Sequence, residues 1–170
     1  MFYLAKLSRS PRLIISAFLT FAITLCFAFI LITPAANAQV TCSSPGIGMT
    51  TTIRLIRDAR ASNSYALPSS QWSTAGAIAK AESCLNPNAT RTNTDRTKDR
   101  GLWQINNKIY PLITDTCAYD RTCSTRQMLT IYRDGGWSRW TAYKNGTFKQ
   151  FLPEANQAVS TVLCESGGPC

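Results

Sequence analysis

The chain has 170 residues, seven cysteines and no histidine, and its 18 basic and nine acidic residues give a formal net charge of +9. The absence of histidine excludes the usual Ser-His-Asp and Cys-His catalytic sites, so acid–base catalysis must come from aspartate, glutamate, lysine or tyrosine. The positive charge predicts attraction to anionic polymers.

The first 38 residues have the three parts of a secretory signal peptide. Basic residues open the chain, an almost unbroken apolar run covers residues 13–32, and Ala36-Asn37-Ala38 fits the pattern that signal peptidase accepts. We therefore expect cleavage before Gln39 and a secreted protein, extracellular or periplasmic, with no stable membrane insertion. An uncleaved anchor is the alternative, because about 20 apolar residues can span a bilayer.

Removal of 38 residues from 170 leaves 132, which suits one domain with a substantial core. Cys26 is lost with the leader, and the six remaining cysteines predict three disulfides, for which 15 pairings are possible. We expect Cys117 to pair with Cys123 in a local loop, and Cys42 to tie the N-terminal segment to the C-terminal end. A zinc site is disfavoured because the chain has neither histidine nor a Cys-x-x-Cys pair.

After the leader, 15 basic and nine acidic residues remain, a formal net charge of +6. The basic residues are scattered along the chain and do not form one run. Together with export, this scatter argues against nucleic acid as a partner and favours an acidic extracellular polymer.

The predicted elements of the exported part are mainly helical. Residues 50–52, three threonines, can cap a helix over about 53–61, and residues 62–70 predict a loop. Ser73 is a suitable N-cap for a second helix over 74–84, and Asn86-Pro87 ends it.

The polar segment 88–100 predicts a short β-hairpin or an extended loop, because threonine favours strands while Asn93 and Asp95 favour turns. A further helix is predicted over 124–133, then an aromatic turn region, then a last helix that starts near Pro153. The predicted fold class is a mainly α, α+β domain with one small β or loop segment after the second helix.

Glu82 is the first candidate for catalysis. It follows Ala75, Ile78 and Ala79 at helical spacing, so its carboxyl group projects from an apolar stripe near the end of the second helix. Desolvation and the negative end of the helix dipole both disfavour the charged form and raise the pKa of this carboxyl. A carboxyl that stays protonated near neutral pH suits a general acid. Helical spacing alone leaves a surface glutamate on an alanine-rich helix as the alternative.

Three blocks of sequence resemble the lysozyme-like and lytic transglycosylase superfamily. Residues 82–89 (ESCLNPNA) resemble its Glu-Ser-x-x-Asn-Pro-x-Ala motif, and residues 101–106 (GLWQIN) look like its Gly-Leu-(Met/Phe)-Gln-Ile-Asn motif. Residues 136–146 (GWSRWTAYKNG) are similar to its Trp-x-x-Tyr-x-x-Gly segment. The resemblance covers roughly 74–152 and implies that Glu82 is the catalytic acid. We accordingly expect residues 39–72 to be an N-terminal helical extension and residues 73–170 to be the lysozyme-like catalytic domain.

The segment 91–101 (RTNTDRTKDRG) resembles the β-hairpin of animal-type, or c-type, lysozymes. There an Asn-Thr-Asp turn precedes a second catalytic aspartate, and Asp99 follows Glu82 by the same 17 positions. The resemblance therefore implies that Asp99 is a nucleophile or charge stabiliser, the role that a second carboxylate has in retaining glycosidases. Asp95 is expected to be a turn residue. Some transglycosylases carry a non-nucleophilic aspartate before the Gly-Leu motif, so a structural role for Asp99 stays open.

The resemblance also implies substrate contacts. Gln104 and Asn106 lie where the family lines its cleft, and side-chain amides can pair with the N-acetyl and hydroxyl groups of sugars; a satisfied backbone network is the alternative for both. Tyr143 corresponds to the tyrosine whose hydroxyl approaches the catalytic glutamate. Trp103 and Trp140, with Trp137, are candidates for stacking on sugar, and we expect at most one of the three in the cleft.

The resemblance implies a peptidoglycan-cleaving enzyme that needs no metal or organic cofactor. A lysozyme, which hydrolyses the bond between N-acetylmuramic acid and N-acetylglucosamine, is favoured by the Asp99 segment, whereas the 82–89 block favours a lytic transglycosylase that leaves 1,6-anhydromuramic ends. A non-catalytic glycan-binding or secretion-apparatus module and a membrane-active cationic defence protein are the alternatives from other classes. We expect a monomer.

Overall fold

The computed structural model of the chain describes residues 40–43, 46–59 and 64–168. The predicted signal peptide lies outside the described residues. None of the helices within the described ranges combines the length and the apolar character needed to cross a membrane.

The described residues form six α-helices, three short 3-10 helices and a three-stranded antiparallel sheet. The α-helices are α1 (Met49–Asp58), α2 (Trp72–Ser83), α3 (Asp115–Tyr119), α4 (Arg121–Gly135), α5 (Thr141–Lys144) and α6 (Leu152–Glu165). The strands are β1 (Thr90–Thr92), β2 (Lys98–Arg100) and β3 (Ile105–Asn106), and the 3-10 helices are Ser69–Gln71, Gly136–Arg139 and Thr147–Phe151. The α+β fold class with a small β-hairpin after the second helix is confirmed.

The core lies between α1, α2 and α6. Ile53 and Ile56 on α1 and Ile78 on α2 are fully buried, and Ile78 lies on the helix face that the apolar spacing indicates. Gly76 allows α1 to approach α2 closely, because a Cβ atom at this position would lie 2.8 Å from the Cδ1 atom of Ile53. This packing fixes the helix that carries Glu82.

The hairpin forms because its turn is satisfied locally. The Asp95 carboxylate accepts hydrogen bonds from the backbone N–H and the hydroxyl of Thr97, at 3.1 and 2.7 Å, so Asp95 is the turn residue that was expected. β2 is the central strand, and Asp99 stands opposite Arg91 on β1 and Asn106 on β3. The sheet thereby brings the side chains of Arg91, Asp99 and Asn106 side by side.

Gly101 joins the sheet to the helices. Its φ is +70°, and a Cβ atom there would lie 1.9 Å from the carbonyl oxygen of Ala118, so only glycine fits this close approach of β2 to α3. The buried Arg100 donates to Asp115 on α3 at 2.6 Å and to the carbonyl of Ile105 at 3.2 Å. The strand that carries Asp99 is therefore held at its C-terminal end.

Several predicted boundaries need correction. The second helix begins at Trp72 rather than after a Ser73 cap, and no side chain caps its first turn. The short helix α3 was not predicted, because five residues are too few to show a helical period. Its cap is local: the Thr114 hydroxyl accepts a hydrogen bond from the N–H of Cys117. Glycine ends α4, with Gly136 at its C-cap.

The disulfides confirm one pairing and correct another. Cys117 and Cys123 form the expected local bridge. Cys42 pairs with Cys84, not with the C-terminal end, and so attaches the N-terminal segment to the residue that follows α2. Cys164 also takes part in a disulfide bond. The helix α1 shares the core with α2. The predicted boundary between an N-terminal extension, 39–72, and a catalytic domain, 73–170, stays a prediction.

Candidate active site

The carboxyl group of Glu82 lies at the end of α2 and reaches the start of α5. Its Oε1 atom accepts a hydrogen bond of 2.8 Å from the backbone N–H of Ala142. The neighbouring Ser83 is buried, and its hydroxyl contacts the carbonyls of Ala79 and Leu102, which ties α2 to the Gly-Leu block. The three blocks of sequence therefore meet around Glu82.

Burial raises the pKa of Glu82 above its ordinary value, because desolvation penalises the charged carboxylate. The backbone N–H of Ala142 and the charge of Arg91 act in the opposite direction, and the charge of Asp99 adds to the rise. The direction is the one that the apolar stripe predicts. A carboxyl group in this setting is kept protonated to higher pH than an exposed glutamate.

Asp99 lies in a different environment, surrounded by donors. Its Oδ1 accepts a hydrogen bond of 2.7 Å from the Nδ2 of Asn106, and its Oδ2 accepts one of 3.1 Å from the Nδ2 of Asn93. Arg91 approaches the same Oδ2 at 3.4 Å. Only 14% of the Asp99 side chain is exposed. These contacts hold the carboxylate in one orientation.

Both carboxyl groups line one cleft with a volume of about 380 Å³. The hairpin and β3 supply one group of lining residues, and the segment from Ser138 to Lys144 supplies another. Among the predicted site residues, the cleft is lined by Glu82, Asp99, Trp103, Gln104, Asn106 and Trp140. The structure therefore brings six of the seven predicted residues together.

The two amides are partly used within the protein. The Nε2 atom of Gln104 donates to the carbonyls of Gly101 and Ala89, at 2.9 and 3.3 Å, which leaves its carbonyl oxygen for a ligand. Asn106 donates to Asp99 and accepts from the backbone N–H groups of Lys108 and Ile109. Asn106 therefore orients Asp99, a contact that its sequence motif did not indicate.

The aromatic residues differ from expectation. Trp103 and Trp140 both line the cleft, whereas at most one tryptophan was expected there. Both are buried, and their indole N–H groups donate to Thr125 and to the carbonyl of Trp103, so they build the floor of the cleft and offer little ring surface to a sugar. Tyr143 lies outside the cleft lining, with its ring stacked on Phe148 at 5.1 Å.

Within the described part of the chain, the Tyr143 hydroxyl makes no hydrogen bond to Glu82, and a main-chain N–H donates to the glutamate instead. The residue next to Tyr143 supplies that donor, so the third block reaches the glutamate through its backbone. A backbone N–H donor does not depend on the residue type, so the sequence could not reveal this hydrogen bond.

Sequence reasoning also missed three cations and an apolar residue. Arg91, Arg139 and Lys144 line the cleft, together with Ile109, which is 66% exposed. Arg139 and Lys144 lie inside the third block, so their position in the chain was a usable signal. Their orientation toward the cleft depends on the short 3-10 and α-helices of that block. Among the described residues, no group of three or more acidic, cysteine or histidine side chains is arranged to hold a metal ion.

Residues 59–142 match the family model described as Lysozyme like domain. A crystal structure of a lysozyme from Litopenaeus vannamei is similar to this chain, with a TM-score of 0.53 and 25% sequence identity over 66% of this chain and 98% of that chain. A comparison with curated proteins gave no significant match. Together with the fold, these similarities support a lysozyme-like superfamily for this chain.

Proposed function

We propose that this chain is an exported enzyme that cleaves the glycan strands of peptidoglycan at the β-1,4 bond between N-acetylmuramic acid and N-acetylglucosamine. The observation that carries the proposal is the pair of unlike carboxyl groups in one cleft. Glu82 is desolvated, with a raised pKa, and Asp99 is surrounded by donors. Two carboxyl groups in different environments are the arrangement that glycoside hydrolysis uses.

In this proposal, the protonated Glu82 donates its proton to the glycosidic oxygen as the bond to C1 of the muramic acid breaks. The leaving sugar takes that proton, and positive charge develops at the sugar ring. The Ala142 N–H, at 2.8 Å, stabilises the carboxylate that Glu82 becomes. Glu82 then accepts a proton from water, and the water oxygen bonds to C1.

Asp99 is proposed to stabilise the positive sugar or to attack it directly, which favours a lysozyme over a lytic transglycosylase. Its support is the fixed orientation that Asn106 and Asn93 impose from two sides. The second candidate, a transglycosylase, is favoured by the 82–89 block, and it can work with Glu82 alone. In that reaction the 6-hydroxyl of the muramic acid bonds to C1 and loses its proton to Glu82.

The remaining parts of the proposal are secretion by cleavage of residues 1–38, a monomeric state, and substrate contacts by Gln104 and the rim of the cleft. The disulfides Cys42–Cys84 and Cys117–Cys123 support an oxidising compartment, extracellular or periplasmic. An antibacterial role would follow from release outside the cell.

The test is mass spectrometry of muropeptides released from purified peptidoglycan by the protein without its leader. Reducing muramic acid ends, lost in Glu82→Gln, establish the lysozyme, and 1,6-anhydro ends establish the transglycosylase. The matched control is Glu154→Gln, because Glu154 pairs with Lys80 outside the cleft. If the unaltered protein cleaves none of several types of cell wall, the proposed enzymatic activity is wrong and a glycan-binding module is favoured.

A further inference from the structure

We infer that Arg139 and Lys144 form a carboxylate-binding site that recognises the acidic branch on the muramic acid. This inference rests on the proposed function and narrows its substrate. The branch is the lactyl group at the 3-position of the sugar, either as a free acid or extended by a stem peptide with its own carboxylates. The two cations select glycan strands that carry such a branch over neutral N-acetylglucosamine polymers.

The first observation is the charge balance of the cleft lining. Three basic side chains, Arg91, Arg139 and Lys144, face the cleft with two acidic ones, Glu82 and Asp99. Burial keeps Glu82 protonated to higher pH, which removes one of the negative charges. The cleft therefore carries an excess of positive charge when Glu82 is protonated. Binding of a neutral sugar does not require this charge.

The second observation is that two of the cations have no partner among the described residues. Arg91 is engaged by Asp99 and by the side-chain carbonyl of Asn93, both at 3.4 Å. Within the described ranges, the side chains of Arg139 and Lys144 make no hydrogen bond and no ion pair, and both are exposed at the cleft. Of the nearby acids, Asp134 is paired with Arg133. The two free cations are available to a ligand.

The third observation is that Arg139 and Lys144 lie close in the chain to the residue that binds Glu82. Arg139 lies three residues before Ala142 and Lys144 two residues after it, and Ala142 is the residue whose N–H binds Glu82. The short helices Gly136–Arg139 and Thr141–Lys144 hold these positions together. The sugar whose C1–O bond breaks is the one that bears the lactyl branch. That branch must therefore leave the cleft close to the residues that surround Glu82.

A flexible cation at the rim of a cleft contributes modestly to binding, because water and salt screen it. We expect a loss of about threefold in kcat/KM for Arg139→Gln or for Lys144→Gln, and of roughly tenfold for the double variant. Arg139→Lys and Lys144→Arg keep the charge and are expected to retain most of the activity. Lys149→Gln removes the same charge outside the cleft lining and is the matched control.

The experiment compares three soluble forms of the same glycan strands. The first carries stem peptides, the second carries stem peptides whose carboxylates have been converted to neutral amides, and the third has been stripped by an amidase to free lactyl groups. At low salt, the kcat/KM of the double variant on the first form is expected to be about tenfold lower than that of the unaltered protein. On the amidated form, the two proteins are expected to have the same kcat/KM. Raising the salt to about 1 M, where the screening length is about 3 Å, is expected to remove the difference.

The stripped strands tell the two sources of carboxylate apart. A loss confined to peptide-bearing strands assigns the site to the stem peptide, and a loss confined to stripped strands assigns it to the lactyl carboxylate. An equal loss on both forms shows that the site accepts either carboxylate. The inference is overturned when the double variant loses as much on amidated strands as on charged ones, or loses no more than Lys149→Gln. Those outcomes leave the enzyme intact, whereas failure of the unaltered protein to cleave every form overturns the proposed function as well.

Discussion

The Asn106→Asp substitution tests whether Asp99 takes part in catalysis and whether Asn106 orients it. The Asn106 carbonyl oxygen accepts from the N–H groups of Lys108 and Ile109, and an aspartate keeps both of these bonds. The amide nitrogen donates to the Oδ1 of Asp99 at 2.7 Å, and the substitution replaces this donor by a second acceptor. The same nitrogen also donates to the hydroxyl of Thr97 at 3.2 Å, so the change falls on Asp99 and on this weaker contact.

The magnitude follows from the hydrogen bond that is lost. A hydrogen bond to a charged group contributes about 1.5–3 kcal/mol, and the Asp99 side chain is only 14% exposed, so water replaces the bond poorly. If this free energy acts on the transition state, kcat falls roughly ten- to 150-fold. The new carboxylate at position 106 repels the charge of Asp99 and takes up a proton as the pH falls. Lower pH therefore restores a donor beside Asp99 and recovers part of the activity.

The assay is the rate of release of reducing ends from soluble peptidoglycan strands between pH 4 and pH 8. Asn107→Asp is the control, because Asn107 lies next to Asn106, accepts from the N–H of Lys98 at 2.9 Å and is outside the cleft lining. A loss of kcat below about twofold, with the same pH profile as the control, would show that Asn106 does not act through a catalytic Asp99.

Two further predictions concern stability. Because burial raises the pKa of Glu82 above its ordinary value of 4.5, the folded protein binds this proton more tightly than the unfolded chain, and stability is lost as the pH rises through the folded pKa. Glu82→Gln is thus expected to melt at higher temperature than the unaltered protein at pH 8, and at the same temperature at pH 4; a difference independent of pH would refute this. Paired Cys→Ala substitutions are expected to lower the free energy of unfolding by about 4 kcal/mol for Cys42–Cys84 and about 2 kcal/mol for Cys117–Cys123, because the sequence separations are 42 and 6. Urea unfolding measures both losses, and the reverse order would contradict the loop-entropy account.

Local sequence was enough to predict the features that depend on residues close together in the chain. The apolar spacing before Glu82 indicated a desolvated carboxyl, because a helix places these residues on one face. The turn at Asp95 and the bridge between Cys117 and Cys123 close over only a few residues. The three motif blocks indicated the superfamily, and together with the segment 91–101 they supplied the six of seven predicted site residues that line one cleft.

The tertiary structure decided the features that depend on distant segments. Cys42 pairs with Cys84, 42 residues away, and the backbone of Ala142 reaches Glu82 across 60 residues. Tyr143 stacks on Phe148 and, among the described residues, makes no hydrogen bond to Glu82, although its motif implied that contact.

The sequence could not predict these contacts, because several partners are possible for each side chain or backbone group when the partners are far apart in the chain. The packing of α1, α2 and α6 selects among them. The same holds for Arg139 and Lys144, whose residue types are visible in the sequence. Their lack of a partner among the described residues is a property of the tertiary structure.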